Sequence, residues 1–214
     1  MSDQTHSTYL QHHFSDAEQQ HESAKLGMWI FLVTEILLFG GLFVAYAIFR
    51  AWQPDMFYNA HLALDANLGM LNTFVLITSS VTMALAIRSM QLSRTKQTLL
   101  FLATTFILAC VFLVVKYFEY SHKFHLGQLP GAYYTYTGIE GANPHIFFSI
   151  YFTMTGLHGF HVLAGMSVIA WMFVRTLRNE FSAEYYTPIE ITGLYWHLVD
   201  LIWIFLFPLL YLIG

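Results

Sequence analysis

Five stretches of the chain, roughly 26–49, 68–87, 98–117, 146–174 and 189–213, are almost continuously apolar. A helix rising 1.5 Å per residue needs about 20 such residues to cross a hydrocarbon layer about 30 Å thick, and each stretch is that long. The runs show no alternation of period two, so helices are expected rather than strands. The pattern predicts an all-α polytopic membrane protein, a bundle of five transmembrane helices in one domain over residues 26–214. Most connections are short. The exception, 119–145, carries Gly127, Pro130, Gly131, Gly138, Gly141 and Pro144, the punctuation of an ordered surface loop. Its aromatic residues between Phe124 and Tyr136 suit the membrane interface or a partner. Residues 1–25 are polar and lack an apolar h-region, so they read as a mobile tail and not as a signal peptide, with His6, His12, His13 and His21 solvated. An odd number of spans without an internal repeat argues against a simple inverted-repeat transporter.

Composition narrows the function class. Of 214 residues 57% are hydrophobic and only 10% charged, which excludes an ordinary soluble globule. A net charge of −4, with the basic residues scattered singly, excludes a nucleic-acid surface. Cys110, alone within an apolar run, supplies no disulfide framework, Cys-rich zinc site or two-cysteine copper site, and is expected to fill space. The aromatic residues, 18% of the chain, include Trp29, Trp52, Trp171 and Trp203 at helix ends or on packing surfaces. Lys25, Arg88, Arg94, Lys96, Arg175 and Arg178 fall on one side of the membrane. Arg50 and Lys123 fall on the other, with Lys116 expected to snorkel towards that side from its helix end. The positive-inside rule then puts the N-terminus in the cytoplasm and the C-terminus outside. Arg175 and Arg178 serve as topology anchors, with lipid headgroup binding as the sharper alternative.

Polar residues inside the apolar runs are the functional candidates, because an ionisable group in hydrocarbon needs a partner. Glu35 lies roughly 14 Å into the first span. His197 and Asp200 share a face of the last span, His197 roughly 12 Å along it, so Glu35 and His197 reach matched depth and are expected to pair, as a structural clasp or a proton carrier. Glu35 is expected to be neutral and shielded. His158 and His161, three apart in MTGLHGFHVLAG, face one side of the fourth span. Two histidines do not make a metal or haem site without convergent ligands, and Thr155 and Gly159 beside them form a small-residue face suited to helix packing. Glu119 and His122 form a lone ExxH, short of the paired motifs that a di-iron site requires.

These motifs carry a resemblance. YWHLVDLIWIFLFPLLYLIG resembles the WHxxD-bearing last helix of the cytochrome c oxidase subunit III family. LGMWIFLVTEILLFGGLF resembles the family segment with a buried Glu, matched by Glu35. KYFEYSHK resembles its ExY stretch through Glu119 and Tyr120, and TGLHGFHVLAG its GxHGxHV signature through Gly156, His158, Gly159, His161 and Val162. The motifs run in family order across residues 26–214. The resemblance implies a noncatalytic membrane subunit of a haem-copper oxidase, a complex that reduces oxygen to water and pumps protons. Such a subunit has no cofactor of its own; haem and copper belong to partner subunits. It packs against catalytic subunit I and other subunits, binds phospholipid, and supports assembly, proton uptake and lasting turnover. The longer family members have seven spans, and this chain lacks the first two together with the lipid cleft they form. Five-span forms imply a bacterial inner membrane. Glu at position 35 favours the cytochrome c type over a quinol oxidase, and an independent membrane transporter or redox enzyme using Glu35, His158, His161 and His197 is the alternative of another class.

Overall fold

The computed structural model describes residues 10–11, 13–139, 141 and 143–213. They form six helices: α1 (Ala17–Trp52), α2 (Pro54–His61), α3 (Ala66–Gln91), α4 (Thr95–His125), α5 (His145–Leu177) and α6 (Thr187–Tyr211). All but the short α2 are long and apolar enough to span a membrane, as the hydropathy pattern predicts, and no strand occurs among the described residues.

Each long helix outruns its apolar stretch. Residues 17–25, read from sequence as tail, are the first turns of α1, capped by the Asp16 carboxylate accepting from the Gln19 backbone N–H at 2.7 Å. His21 hydrogen-bonds Thr187 and Lys25 pairs with Glu190 at 2.9 Å, so this polar part of α1 is tied to the start of α6. His6 and His12 lie outside the described residues. The expected loop from 119 begins instead after His125, where Gly127 adopts φ 75° and the Gln128 N–H returns to the Lys123 carbonyl. The same closure ends α3 at Ser93 (φ 58°) and α5 at Asn179 (φ 55°).

Helix α6 is the hub, packed against α1, α3 and α5, while α4 lies between α3 and α5. Trp196 and Trp203 of α6 are fully buried, and their indole N–H groups donate to Ser79 and Thr73 of α3, both at 3.1 Å. Close approach depends on missing side chains. A Cβ on Gly165 would lie 2.8 Å from the Trp196 ring, and one on Gly69 2.7 Å from Phe207. Helix α1 buries Leu32, Phe39 and Tyr46, seven residues apart, against α6 and α5, with Met28, Leu42, Phe43 and Phe49 partly buried beside them, and exposes most of its remaining side chains. Its C-terminal end is held by Tyr46 donating to the Leu209 carbonyl at 2.7 Å and Arg50 to the Ile213 carbonyl at 3.1 Å. Cys110 is free and half-buried against the core.

Candidate functional site

Three polar groupings interrupt the apolar bundle. Glu35 on α1 meets His161 on α5, Oε2 to Nε2, at 2.9 Å. The expected partner was His197, and depth alone did not distinguish the two; the rotation of α1 turns Glu35 towards α5. His161 Nδ1 lies 2.8 Å from the Leu157 carbonyl, which only accepts, so Nδ1 carries a proton. One further proton is then shared between Nε2 and the carboxyl. The pair is therefore either neutral acid with neutral imidazole or carboxylate with imidazolium, and its net charge is zero in both. Tyr195 donates to the His161 carbonyl and the Phe39 ring packs edge-on against the imidazole, shielding the pair.

The second grouping corrects the expectation for Lys116. It does not snorkel; it is 7% exposed, turned inward beside Glu119, which is 4% exposed. Lys116 Nζ donates to Glu119 Oε2 at 2.8 Å, to Tyr211 OH at 2.9 Å and to Tyr151 OH at 3.1 Å, using all three ammonium protons. Both phenols in turn donate to Glu119 Oε1, at 2.8 Å from Tyr151 and 2.6 Å from Tyr211. The aromatic rings of Tyr151, Trp203 and Tyr211 face the ammonium at 5.1–5.6 Å. Lys123, one turn beyond Glu119, is also buried, donates to the Ala63 carbonyl at 3.5 Å and lies over the Tyr151 ring. Lys116 and Glu119 sit at i and i+3 on α4, a signal readable from sequence. Tyr151 and Tyr211 come from other helices and carried none. His122 is exposed, so the ExxH residues do not converge.

In the third grouping His197 Nδ1 lies 2.6 Å from the Ser80 hydroxyl of α3. Asp200, three residues further along α6, is buried, and its Oδ1 has no hydrogen-bond partner. His158 is fully buried between Phe112 and Trp203, and neither of its ring nitrogens has a hydrogen-bond partner. Thr155 accepts or donates a hydrogen bond with Tyr120, whereas a Cβ on Gly159 would meet open space. Gly159 instead lines an apolar groove of about 450 Å³ between α4 and α5, with Phe112, Tyr120 and Leu163.

Outside the spans, Arg175 is engaged with Glu180 at 2.6 Å and stacks on Phe181, while Arg178 is exposed. The Gln19 backbone N–H, helped by Ser15, holds the Asp16 carboxyl below its ordinary range, and partial burial pushes the Tyr134 phenol up. Among the described residues no cluster of three or more His, Cys, Asp or Glu side chains is placed to hold a metal ion.

The chain is 28% identical over 216 residues to the quinol oxidase subunit 3 of Bacillus subtilis, covering 96% of this chain and 97% of that one. It is 30% identical over 206 residues to the cytochrome c oxidase subunit 3 of Alkalihalophilus pseudofirmus, covering 96% and 94%. It is also similar to a fused heme-copper oxidase subunit I+III of Aeropyrum pernix, at 27% identity over 90% of this chain but only 23% of that protein. The profile of the cytochrome c oxidase subunit III family matches residues 3–214. With five membrane-length helices in a single bundle, the chain belongs to the cytochrome c oxidase subunit III family.

Proposed function

We propose that this chain is the noncatalytic subunit III of a haem-copper oxidase in a bacterial inner membrane, with its N-terminus in the cytoplasm. The observation that carries the reading is the family match over nearly the whole chain. Support comes from the chemistry of the polar groups. Glu35 is bound to His161 and Lys116 to Glu119 inside the bundle, pairings that fix helices, and the described residues hold no cluster of three or more His, Cys, Asp or Glu side chains placed for a metal. Oxygen reduction then belongs to partner subunits carrying those groups, above all a catalytic subunit I. The subunit I+III fusion in a relative is consistent with the two lying side by side.

This chain's part is to brace that partner, to assist proton uptake and to prolong turnover. Exposed Arg178 suits a phospholipid headgroup. Relatives of both donor types match at about equal identity, and the donor, cytochrome c or quinol, binds elsewhere in the complex. Deletion of the chain tests the reading. The haem spectrum and initial oxygen consumption are expected to persist, with faster decay of activity during turnover or a lower proton yield. Loss of the haem bands from a complex that still assembles would refute it.

A further inference from the structure

The accessible hydroxyls of Thr34, Thr78, Thr104 and Ser167, all within the spans, each donate to a carbonyl of their own helix and so present no unspent proton to their surroundings. His197 on α6 differs. Its Nδ1 is engaged by the Ser80 hydroxyl of α3 at 2.6 Å, while the half-buried ring leaves Nε2 accessible and without a partner among the described residues. In either neutral tautomer Nε2 has one hydrogen bond to make, as an N–H or as a lone pair. His197 lies ten residues from the start of α6 and fourteen from its end, about 15 Å and 21 Å along the helix. That is near the middle of a hydrocarbon layer about 30 Å thick, where acyl chains offer no partner and bulk water does not reach.

The ring sits on a stripe of α6 that this chain leaves uncovered. Leu194, His197, Leu201 and Ile204 follow at helical spacing and share one face over about three turns. Leu194 is half-buried, and Leu201 and Ile204 are exposed. On one side the stripe is bounded by α3, where Ile77 and Ala84 are exposed one turn to either side of Ser80. On the other it is bounded by α1, whose Phe43 ring lies 6.5 Å from that of Phe205. Helices α1 and α3 both pack on α6 but scarcely on one another, so the stripe is the floor of a trough between them.

From this geometry we infer that a transmembrane helix of a partner subunit lies in the trough and presents a hydroxyl or carboxamide side chain to His197 Nε2. In that respect the inference rests on the reading of the chain as one subunit of a complex. A hydroxyl or carboxamide both donates and accepts, so it meets Nε2 in either tautomer. Apolar walls three turns long with one polar atom among them are the pattern of helices that pack in a membrane through van der Waals contact and an interhelical hydrogen bond. Lipid would fill the trough and leave Nε2 bare, a costly arrangement for an ionisable side chain at this depth. A second copy of this chain, related by a two-fold axis, would bring the same tautomer to both Nε2 atoms, two donors or two acceptors facing one another.

The test uses the whole purified complex labelled with ¹⁵N in its histidine rings, the His197 signals being identified by their loss in His197→Gln. Separating the full chain from its partners in the same lipid should move the Nε2 signal and leave the Nδ1 signal, whose Ser80 partner is internal. In native membranes, a photoreactive phenylalanine derivative in place of Leu201 should attach to a membrane-spanning segment of another subunit, with a Ser, Thr, Tyr, Asn or Gln within one turn of the attachment point. His197→Phe, which fills the space without a polar atom, should lower retention of the chain by the detergent-washed complex several-fold below His197→Gln, whose carboxamide reaches as far as Nε2. An Nε2 signal identical in the two states, Leu201 adducts confined to phospholipid or to a second copy of this chain, or equal retention of the two variants would overturn the inference. Failure of the subunit reading would look different, as a chain that purifies without haem-bearing partners.

Discussion

Removing one partner of the buried Lys116–Glu119 pair should be far more damaging than removing both. In Glu119→Ala the ammonium keeps only the phenol oxygens, and Tyr151 and Tyr211 lose the acceptor they share. Breaking a buried ion pair from one side costs about 3–5 kcal/mol, since a charge is left in low dielectric. Lys116→Met strands the carboxylate with two phenol donors and is expected to cost a similar amount. The double variant Lys116→Met, Glu119→Leu strands neither, and apolar replacement of a buried pair is often neutral or stabilising. Asp65 remains as a counter-charge for Lys123. The double variant should therefore lie at least ~3 kcal/mol above the sum of the singles, a coupling that a double-mutant cycle isolates. Reversible unfolding in mixed micelles, followed by tryptophan fluorescence, provides the measurement, because the Trp203 ring lies 5.1 Å from Lys116 Nζ. Additive losses, or single losses below ~1 kcal/mol, would refute the view that the two charges compensate one another.

Three further outcomes follow from the structure. Glu35→Gln keeps a hydrogen bond to His161 and should assemble, whereas Glu35→Leu leaves Nε2 bare and should lose ~1–3 kcal/mol in the same unfolding assay; a hydrophobic carbodiimide should label Glu35 in the parent and neither variant. Gly165→Leu should prevent α5 from closing on Trp196 and lower the yield of assembled subunit, an effect absent for Gly159→Leu as far as this chain's own packing is concerned, since Gly159 faces open space. The Asp16 cap contributes fully above the ordinary carboxylate range and is lost as pH falls through its depressed folded value, so hydrogen exchange at Glu18 and Gln19 should speed up there; Asp16→Asn, which keeps a capping oxygen, should remove this pH dependence.

The five spans were legible because hydrocarbon selects for continuous apolar runs, but the same signal marks the hydrocarbon and not the helix. The polar turns from Ala17 and those up to His125 extend α1 and α4 beyond their apolar stretches. Glu35 was recognisable from its position alone as an acid in need of a partner. Its partner was not, because depth fixes a coordinate along the membrane normal and says nothing of rotation, and His161 and His197 differ mainly in which helix α1 faces. Lys116 was misread for a related reason. A lysine near the end of an apolar run usually snorkels, and only the convergence of Glu119, Tyr151 and Tyr211 from three helices makes the inward direction favourable. The Ser80 contact was invisible, since a serine in a span ordinarily bonds its own backbone, as Ser79 does to Leu76.

The most direct test of the central claim is to purify the native membrane complex through an affinity tag on this chain and to measure haem and copper, both in the complex and in the chain after dissociation. The expected result is a complex with the reduced-minus-oxidised bands of a haem-copper oxidase and a separated chain with neither haem nor metal. Haem or copper remaining with the separated chain, or a tagged chain that brings down no haem-bearing partner, would contradict the account.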